Sequence, residues 1–159
     1  MPRIDLSMSP EAIQDFLRGS HVGVLSTIDH KGFPHSVGIY YAGGLDEVAM
    51  WVYGKSQKVR NVERDPRCSL LVEAGEPYAD LKGVLLRGNG RVVRDLNEVR
   101  KLGQVIYERY FFPRTGVPFD QGPHERIAKQ SEKRVCVVMT PRRIASWDHG
   151  RAPSTSGGP

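Results

Sequence analysis

The sequence predicts a mainly β protein, an antiparallel β-barrel with peripheral helices, from three observations. Six or seven short segments rich in β-branched and apolar residues follow one another along the 159-residue chain. Most of them are joined by short turns, whereas a doubly wound α/β fold needs a helix after nearly every strand. Finally, Gly88-Asn89-Gly90 interrupts the longest segment and predicts a bulge or a sharp bend, which lets a sheet curl toward a barrel.

The composition is that of one soluble globular domain, which we place at residues 1–149. Hydrophobic residues make up 39% of the chain and charged residues 26%, both ordinary values for this class. Residues 150–159 offer almost nothing to bury and are expected to form a flexible tail. No apolar run approaches the roughly 18 residues of a membrane span. The first residues lack the apolar core of a signal peptide, so we expect a cytoplasmic protein without a membrane partner.

Neither the charge pattern nor the potential metal ligands of the sequence predict a nucleic-acid partner or a metal site. The formal net charge is +5, but the basic residues are spread over the chain rather than along one helix, so a nucleic-acid partner is not expected. Cys68 and Cys136 lie in apolar runs and are predicted to be buried, unpaired thiols. The histidines show no metal-ligand spacing. They are His21, His30, His35, His124 and His149.

Three helices have recognisable ends. Ser9 followed by Pro10 is typical of a helix start, with Ser9 as the N-cap. Asp95, with Glu98 three residues later, predicts the start of a second long helix. Between them, a short helix must stop at Asp65, because a residue that precedes proline avoids helical dihedral angles.

The predicted strands are separated by turn and loop sequences. Residues 29–32 form a turn sequence, so the strands on either side of it are expected to pair as an antiparallel hairpin. Residues 43–46 form another turn, residues 112–122 are rich in Pro and Gly and are predicted to be a loop, and Pro141 separates the last two strands. The strands are predicted at 21–28, 34–41, 47–53, 68–73, 84–93, 134–140 and 143–147.

The start of the short helix carries an unusual number of cations. Ser56 is placed to be its N-cap, Lys58 and Arg60 lie in the first turn, and Lys55 is just outside. The positive end of the helix dipole and the free N–H groups disfavour cations there. Taken alone, these residues fit either an anion-binding site or a solvated helix end, where each misplaced cation costs only about 0.3–1 kcal/mol.

Four segments resemble a known family in their order and motifs. They are GVLSTIDHKGFPHSVGIYY, KSQKVRNVERDPRCSLLVE, YADLKGVLLRGNGRVV and KRVCVVMTPRRIASWDH. Together they resemble the pyridoxamine-5′-phosphate-oxidase-like split β-barrel flavoproteins, and more closely their actinobacterial flavin/deazaflavin oxidoreductases, which often use coenzyme F420. The resemblance implies a six-stranded antiparallel Greek-key split β-barrel, FMN-binding-split-barrel-like. It also implies a homodimer with the cofactor in a groove between the subunits.

The resemblance also implies a set of cofactor-binding residues. Lys58 is expected to hold a cofactor phosphate, and part of the second strand is expected to lie along the cofactor's ring system. The residues expected to help Lys58 are Lys55, Ser56, Arg60 and Asn61. The second-strand residues are Pro34, Ser36 and Val37.

The choice of cofactor depends on one strand. FMN-binding members of the family commonly carry an Arg and a Lys on the strand before the basic helix, whereas residues 47–53 contain no base. Coenzyme F420 has a phosphodiester and a glutamate tail, whose charges suit a dispersed positive groove. Lys31 and Lys82 are further candidates to line that groove. The resemblance therefore favours F420, with FMN as the alternative.

The activity implied is hydride transfer from reduced deazaflavin to a hydrophobic, conjugated small-molecule substrate. No residue stands out as an obligatory acid or base. Tyr40, Tyr78 and His35 are conceivable proton donors, but each is equally well explained as a structural or surface residue. An aromatic cluster is expected either to wall the substrate pocket or to pack at a dimer interface. Its members are Tyr107, Tyr110, Phe111 and Phe112.

Two other functions stay open. The chain could be a non-catalytic carrier of F420, FMN or a tetrapyrrole, because binding residues are visible in the sequence and catalytic ones are not. It could also be an FMN-dependent oxidase of pyridoxamine phosphate. The second alternative is weaker, since the chain shows no C-terminal substrate-binding arginine and histidine motif of those oxidases.

Overall fold

The computed structural model of the protein describes residues 5–20 and 22–151. These residues form five α-helices, seven strands and two single 3-10 turns. The helices are α1 (Pro10–Gly19), α2 (Gln57–Arg64), α3 (Leu96–Tyr110), α4 (Phe112–Thr115) and α5 (Pro123–Ser131). The strands are β1 (Gly23–Ile28), β2 (Pro34–Ile39), β3 (Ala42–Gly43), β4 (Val48–Tyr53), β5 (Arg67–Ala74), β6 (Lys82–Val93) and β7 (Arg134–Asp148). The 3-10 turns are Tyr78–Asp80 and His149–Arg151.

The strands form one antiparallel sheet that curls into a half-barrel. Their order across the sheet is β2-β1-β5-β6-β7-β4-β3. Alternate residues of the strands point to the inner face, where they are fully buried together with residues of α1 and α2. This core includes Leu17, Leu25, Met50, Val59, Leu70, Leu86 and Val137. The predicted mainly β class with peripheral helices is therefore confirmed.

The number of six strands implied by the family resemblance is wrong, because the described chain has seven. The additional strand is β3, which lies partly within the predicted turn at 43–46 and pairs Ala42 with Ala49. Gly43 makes this pairing possible with a φ of +99°. A Cβ atom on Gly43 would lie 2.1 Å from the Glu47 carbonyl oxygen. A strand of two residues is too short to leave a periodic signal in the sequence.

The two predicted strands around Pro141 are one strand, β7. Opposite Pro141 lies Gly88, and the register between β6 and β7 shifts between Arg87 and Gly88. The sheet is thus irregular beside Gly88, as predicted, but the extra residue of the bulge is Arg142 on β7 rather than a residue of Gly88-Asn89-Gly90. The pairing of β7 with β4 reaches only to Met139, so Pro141 lies on an edge, where a missing N–H is tolerated.

Two helices lie where the sequence predicts a loop or gives no helix. Residues 112–122 contain the single turn of α4. The nine-residue α5 then begins with Pro123 after Gly122, whose φ is +111°. Ile127 of α5 packs against α3, where a Cβ on Gly103 would lie 2.8 Å from it. The abundance of Pro and Gly marks the start of a helix here rather than a continuous loop.

The predicted helix caps and the first hairpin are confirmed. The Ser9 hydroxyl oxygen accepts a hydrogen bond from Ala12 N at 3.2 Å, and an Asp95 carboxylate oxygen accepts one from Glu98 N at 3.0 Å. Strands β1 and β2 pair from one end to the other. Their turn is held by the Asp29 carboxylate, which accepts bonds from two backbone amides at 2.8 and 2.9 Å.

Both cysteines are buried and unpaired, as predicted. Burial raises the pKa of Cys68 and of Cys136 to about 11. Among the described helices, none has the length and apolar character needed to cross a membrane. His21 and most of the predicted tail, residues 152–159, lie outside the described residues.

Candidate functional site

The N-terminal end of α2 presents hydrogen-bond donors to its surroundings. Ser56 occupies the N-cap position with an extended backbone, but its side chain makes no capping bond. Its hydroxyl oxygen is buried and has no partner within the described part of the chain. The first hydrogen bond of the helix is donated by Val59 N to Ser56 O at 3.1 Å. The amides of Gln57 and Lys58 precede that bond, as the first amides of any helix do.

Two half-buried cations meet beside this helix end. Burial lowers the pKa of Lys58, and the positive charge of Arg134 lowers it further. Burial also lowers the pKa of Arg134, against the opposite effect of Tyr53, which faces it in the β4–β7 register. Within residues 5–20 and 22–151, neither cation forms a salt bridge. Two cations that repel each other in a half-buried place form a site suited to an anion.

Arg134 is held in place by two aromatic rings. Its guanidinium carbon lies 4.1 Å from the ring centre of Trp51 and 4.3 Å from that of Tyr53. One of its terminal nitrogens donates to the Trp51 carbonyl oxygen at 3.2 Å. Its Nε is buried without a partner in the part of the structure that is described. The guanidinium is therefore fixed in position while keeping donors for a ligand.

Arg134 was not among the site residues predicted from the sequence. The pairing of β4 with β7 places this arginine opposite Tyr53, the last residue of β4. The signal in the sequence is a cation at the start of an apolar strand. Whether this cation lies near Lys58 depends on the strand pairing, which the sequence does not show.

Two cavities meet at Arg134. The first, which we term the basic cavity, has a volume of about 500 Å³. Its lining includes one acidic residue, Glu132, and the bases Lys55, Arg94, Lys133 and Arg134. Of these bases, Arg94 is paired with Glu63 at 2.6 Å. The basic cavity thus offers several positive charges next to the helix end.

The second, which we term the aromatic cavity, has a volume of about 580 Å³. No acidic residue lines it among the residues described. The indole Nε1 of Trp51 is buried without a partner in the described chain, and Arg126 and Gln130 reach the cavity from α5. The aromatic residues that line it are Tyr40, Trp51, Tyr107 and Phe111. Such walls suit a planar ligand with polar groups at its edge.

The predicted cofactor-binding residues lie in three different places. Lys55, Ser56 and Lys58 are together at the end of α2, with Arg60 exposed farther along the helix. Asn61 is fully buried. Its amide donates to the Thr27 hydroxyl at 3.0 Å and accepts from Gln57 Nε2 at 2.8 Å, so it anchors α2 to β1. On β2, Val37 packs against the core. The remaining two, Pro34 and Ser36, are exposed on the outer face of the sheet.

The three candidate proton donors are also separated. Tyr40 lines the aromatic cavity, and its ring stacks on that of Tyr110 at 4.2 Å. His35 is half-buried, and its Nδ1 has no partner in the described chain. Tyr78 is 76% exposed next to His149 and lines neither cavity. Only Tyr40 lies where it can reach a ligand in the aromatic cavity. The described residues contain no group of three or more potential metal ligands.

Solved structures of the same fold differ in what their names say they do. A conserved hypothetical protein from Mycobacterium tuberculosis is 35% identical, with a TM-score of 0.84; the match covers 100% of this chain and 98% of that one. A structure named F420 reductase is 24% identical, with a TM-score of 0.64, over 86% of this chain and 98% of that one. A heme storage protein from Vibrio cholerae is 15% identical, with a TM-score of 0.65, over 88% and 96%.

The family follows from the sequence match. Comparison with curated proteins gives no match. The family model described as pyridoxamine 5′-phosphate oxidase matches residues 9–148, nearly the whole described chain. The chain therefore belongs to the pyridoxamine 5′-phosphate oxidase family.

Proposed function

We propose that this protein is a coenzyme F420-binding oxidoreductase that reduces a hydrophobic, conjugated small molecule. The observation that carries the proposal is the pair Lys58 and Arg134, two half-buried cations without a carboxylate partner in the described chain. The buried hydroxyl of Ser56, which has no partner in the described chain, lies at the same end of α2 as Lys58. A phosphate at this point would accept hydrogen bonds from all three and relieve the repulsion between the cations.

The charges around this point favour F420 over FMN. The phosphodiester and glutamate tail of F420 place several negative charges along a chain, whereas FMN carries one phosphate. Lys55 and Lys133 extend the positive charge from the phosphate position along the basic cavity, where Arg94 is already paired with Glu63. An anion with several separated charges uses more of these bases than a single phosphate does. A protein of the same fold is named an F420 reductase.

The aromatic cavity fits the other part of the proposal. We propose that its aromatic walls exclude water and hold a planar group. When bound, reduced deazaflavin supplies a hydride to an electron-poor carbon. The reduced substrate then needs one proton, for which we propose the Tyr40 hydroxyl, because Tyr40 lines this cavity.

We further propose that the protein acts as a homodimer, with the cofactor groove completed at the subunit interface. Pro34 and Ser36 are exposed on the outer face of the sheet rather than beside Lys58. In a dimer, the same two residues of the second subunit could contact a cofactor that is held at the end of α2. This arrangement would reunite the cofactor residues implied by the family resemblance.

The test is a fluorescence titration of the protein with F420 and, separately, with FMN. We expect micromolar F420 affinity that weakens by about tenfold or more in Lys58→Ala and in Arg134→Gln, the effect of losing one charge-assisted contact. Lys129→Ala makes the same charge change as Lys58→Ala at an exposed position of α5 and should bind F420 like the wild type. Melting temperatures of all variants check that they are folded.

Each other outcome decides against part of the proposal. Tighter binding of FMN than of F420 would make the protein a flavin protein. Binding of F420 without turnover of reduced F420 by any conjugated acceptor would make it a carrier. Equal F420 affinity in Lys58→Ala, Lys129→Ala and the wild type would remove the basic turn from the cofactor site.

A further inference from the structure

We propose that Thr27 and Asn61 are positioning residues, which hold α2 in the orientation that its phosphate-binding end needs. The inference deepens the proposed function and rests on it, because it takes Lys58 and Ser56 as residues that meet the anion. Thr27 and Asn61 are 0% exposed in the core and therefore do not contact the anion themselves. They act through the helix that carries Lys58.

The bond between Thr27 and Asn61 joins two different elements inside the protein. Among the described residues, tyrosine and cysteine apart, three polar side chains are buried, those of Thr27, Asn61 and Ser131. The Ser131 hydroxyl donates to Ile127 O at 2.7 Å, within its own helix α5. Thr27, in contrast, is on β1 and Asn61 is on α2. Buried polar groups that are bonded to each other specify one arrangement of a core.

The hydrogen bonds around this pair form one directed chain. Gln57 Nε2 donates to Asn61 Oδ1 at 2.8 Å, and Asn61 Nδ2 donates to the Thr27 hydroxyl oxygen at 3.0 Å. The Thr27 hydroxyl donates in turn to His35 O on β2 at 3.4 Å. A hydroxyl has one proton, so donation to β2 leaves its lone pairs to the asparagine. The chain thus runs from the first residue of α2 to the β1–β2 hairpin.

A second attachment holds the other end of α2. The guanidinium of Arg64, the last residue of the helix, donates to Ile28 O. Ile28 follows Thr27 directly and is the last residue of β1. The first and the last residue of α2 are thus both connected to the end of the same strand. Two points of attachment along a helix resist its rotation about its own axis.

Apolar packing alone would fix the rotation of α2 less well. Its eight residues include two apolar side chains, Val59 and Val62, both buried in the core. A helix of this length is not stable in isolation, so its orientation depends on its contacts with the rest of the protein. The hydrophobic effect is not directional. The hydrogen bonds to Thr27 and Ile28 add the direction that the two valines do not supply.

The rotation of α2 determines where Lys58 lies. Side chains reach about 5–6 Å from a helix axis, so a rotation of about 20° moves their ends by about 2 Å. Charge-assisted hydrogen bonds are made at about 2.7–2.9 Å, so a displacement of this size breaks them. Arg134 is on β7 and is fixed by Trp51 and Tyr53. Rotation of α2 would therefore move Lys58 away from an anion that Arg134 holds.

A purely stabilising role for the hydrogen-bond chain predicts a different result. In that case its loss would lower the melting temperature and leave the anion affinity of the folded protein unchanged. A positioning role predicts a loss of affinity in protein that is fully folded. Thr27→Val separates the two roles, because valine keeps the β-branched shape of threonine and lacks its hydroxyl. Thr27→Ser keeps the hydroxyl and is the rescue variant.

The test measures two affinities at a temperature where every variant is folded. Fluorescence titration gives the affinity for F420, and calorimetric titration gives the affinity for inorganic phosphate. We expect Thr27→Val to weaken both by about tenfold, and Thr27→Ser to stay within about threefold of the wild type. The control is Val72→Ala, a 0% exposed residue of β5 outside the hydrogen-bond chain. It should lower the melting temperature without changing either affinity.

A double variant tests whether Thr27 acts through Lys58. Thr27→Val and Lys58→Ala together should weaken binding by less than the product of their separate effects, because there is no ammonium group left to misplace. A loss equal to the full product would overturn the positioning role. So would equal affinity in Thr27→Val and the wild type, or equal losses of affinity in Thr27→Val and Val72→Ala.

The same data separate this inference from the proposed function. If the wild type binds phosphate but not F420, the F420 function is overturned, and the phosphate affinities of the variants decide the role of Thr27. If the wild type and Thr27→Val bind F420 equally, the positioning role is overturned and the F420 function stands. If the wild type binds neither probe, both proposals are overturned.

Discussion

The two halves of β7 differ sharply in how the rest of the molecule surrounds them. Residues 134–139 pair with β4, residues 136–139 pair with β6 as well, and residues 135–139 are all buried. Pro141 and residues 143–148 pair with β6 but not with β4, and residues 142–145 are exposed. One continuous strand thus passes from the interior of the protein to an edge. The change occurs next to Pro141, at the bulge formed by Arg142.

The arginines of the two halves lie in different environments, which determine how strongly solvent screens their charges. Arg134 is half-buried between Trp51 and Tyr53 and lies close enough to Lys58 to lower its pKa. A ligand there meets cations whose charged forms are already disfavoured by burial. In the second half, Arg143 is in solvent and depends on strand register to face Arg87. Salt should therefore screen the charge of Arg143 more than that of Arg134, because exposed charges are screened more.

The largest expected effect is on stability, in a comparison of one side chain from each half. Met139 is 0% exposed, and Met139→Ala should cost about 2–5 kcal/mol through lost contacts and a cavity. Ile144 is 42% exposed, and Ile144→Ala should cost less than about 1 kcal/mol. Urea denaturation of both variants measures the difference. Equal costs would show that Ile144 is covered in solution, for example by a second copy of the chain.

Local signals predicted much of the fold, because they act within a few residues. The caps at Ser9 and Asp95, the hairpin turn at Asp29 and the bulge near Gly88 each depend on neighbours in the sequence. The continuity of β7 could not be predicted in this way. Pro141 normally interrupts a strand, and it is tolerated because the pairing with β4 ends before it. Where the pairing with β4 ends is determined by the arrangement of strands in the sheet, and the sequence near Pro141 does not show it.

The candidate site likewise contains one residue that local sequence reveals and one that only the strand pairing reveals. Lys58 could be identified because a cation at a helix start conflicts with the helix dipole. Arg134 could not, since it lies 76 positions farther along the chain and meets Lys58 only through the pairing of β4 with β7. Asn61 illustrates the opposite case. Its family position suggests a cofactor contact, but its amide is occupied by Thr27 and Gln57 in the interior.

A smaller effect on stability is expected at the junction of the two halves. A Cβ atom on Gly88 would lie 2.0 Å from the Thr140 carbonyl oxygen, so Gly88→Ala must shift the backbone of β7. We expect a cost of about 1–3 kcal/mol, the range for overpacking. The matched control is Gly38→Ala in β2, where the nearest atom would be a methyl carbon of Val22 at 3.7 Å. If both variants melted at the same temperature, the junction would be more adaptable than its geometry indicates.

The smallest effect on the fold is expected from a cysteine comparison along the same strand. Burial raises the pKa of Cys136 in the first half of β7 to about 11, so between pH 7 and 9 the native thiol is almost entirely protonated. The thiolate is the reactive form, and Cys136 is only 3% exposed. Ala145→Cys in the exposed second half should have an ordinary cysteine pKa, with its reaction rate rising as pH passes about 8.5. Labelling with a thiol reagent between pH 7 and 9, followed by mass spectrometry, should therefore find residue 145 modified much faster than residue 136.

Similar rates at the two positions would mean that α3 opens readily from the first half of β7, because Val99 and Leu102 of α3 cover the cluster that contains Cys136. In that case the contrast between the two halves would describe only the average structure and would not persist on the timescale of the reaction.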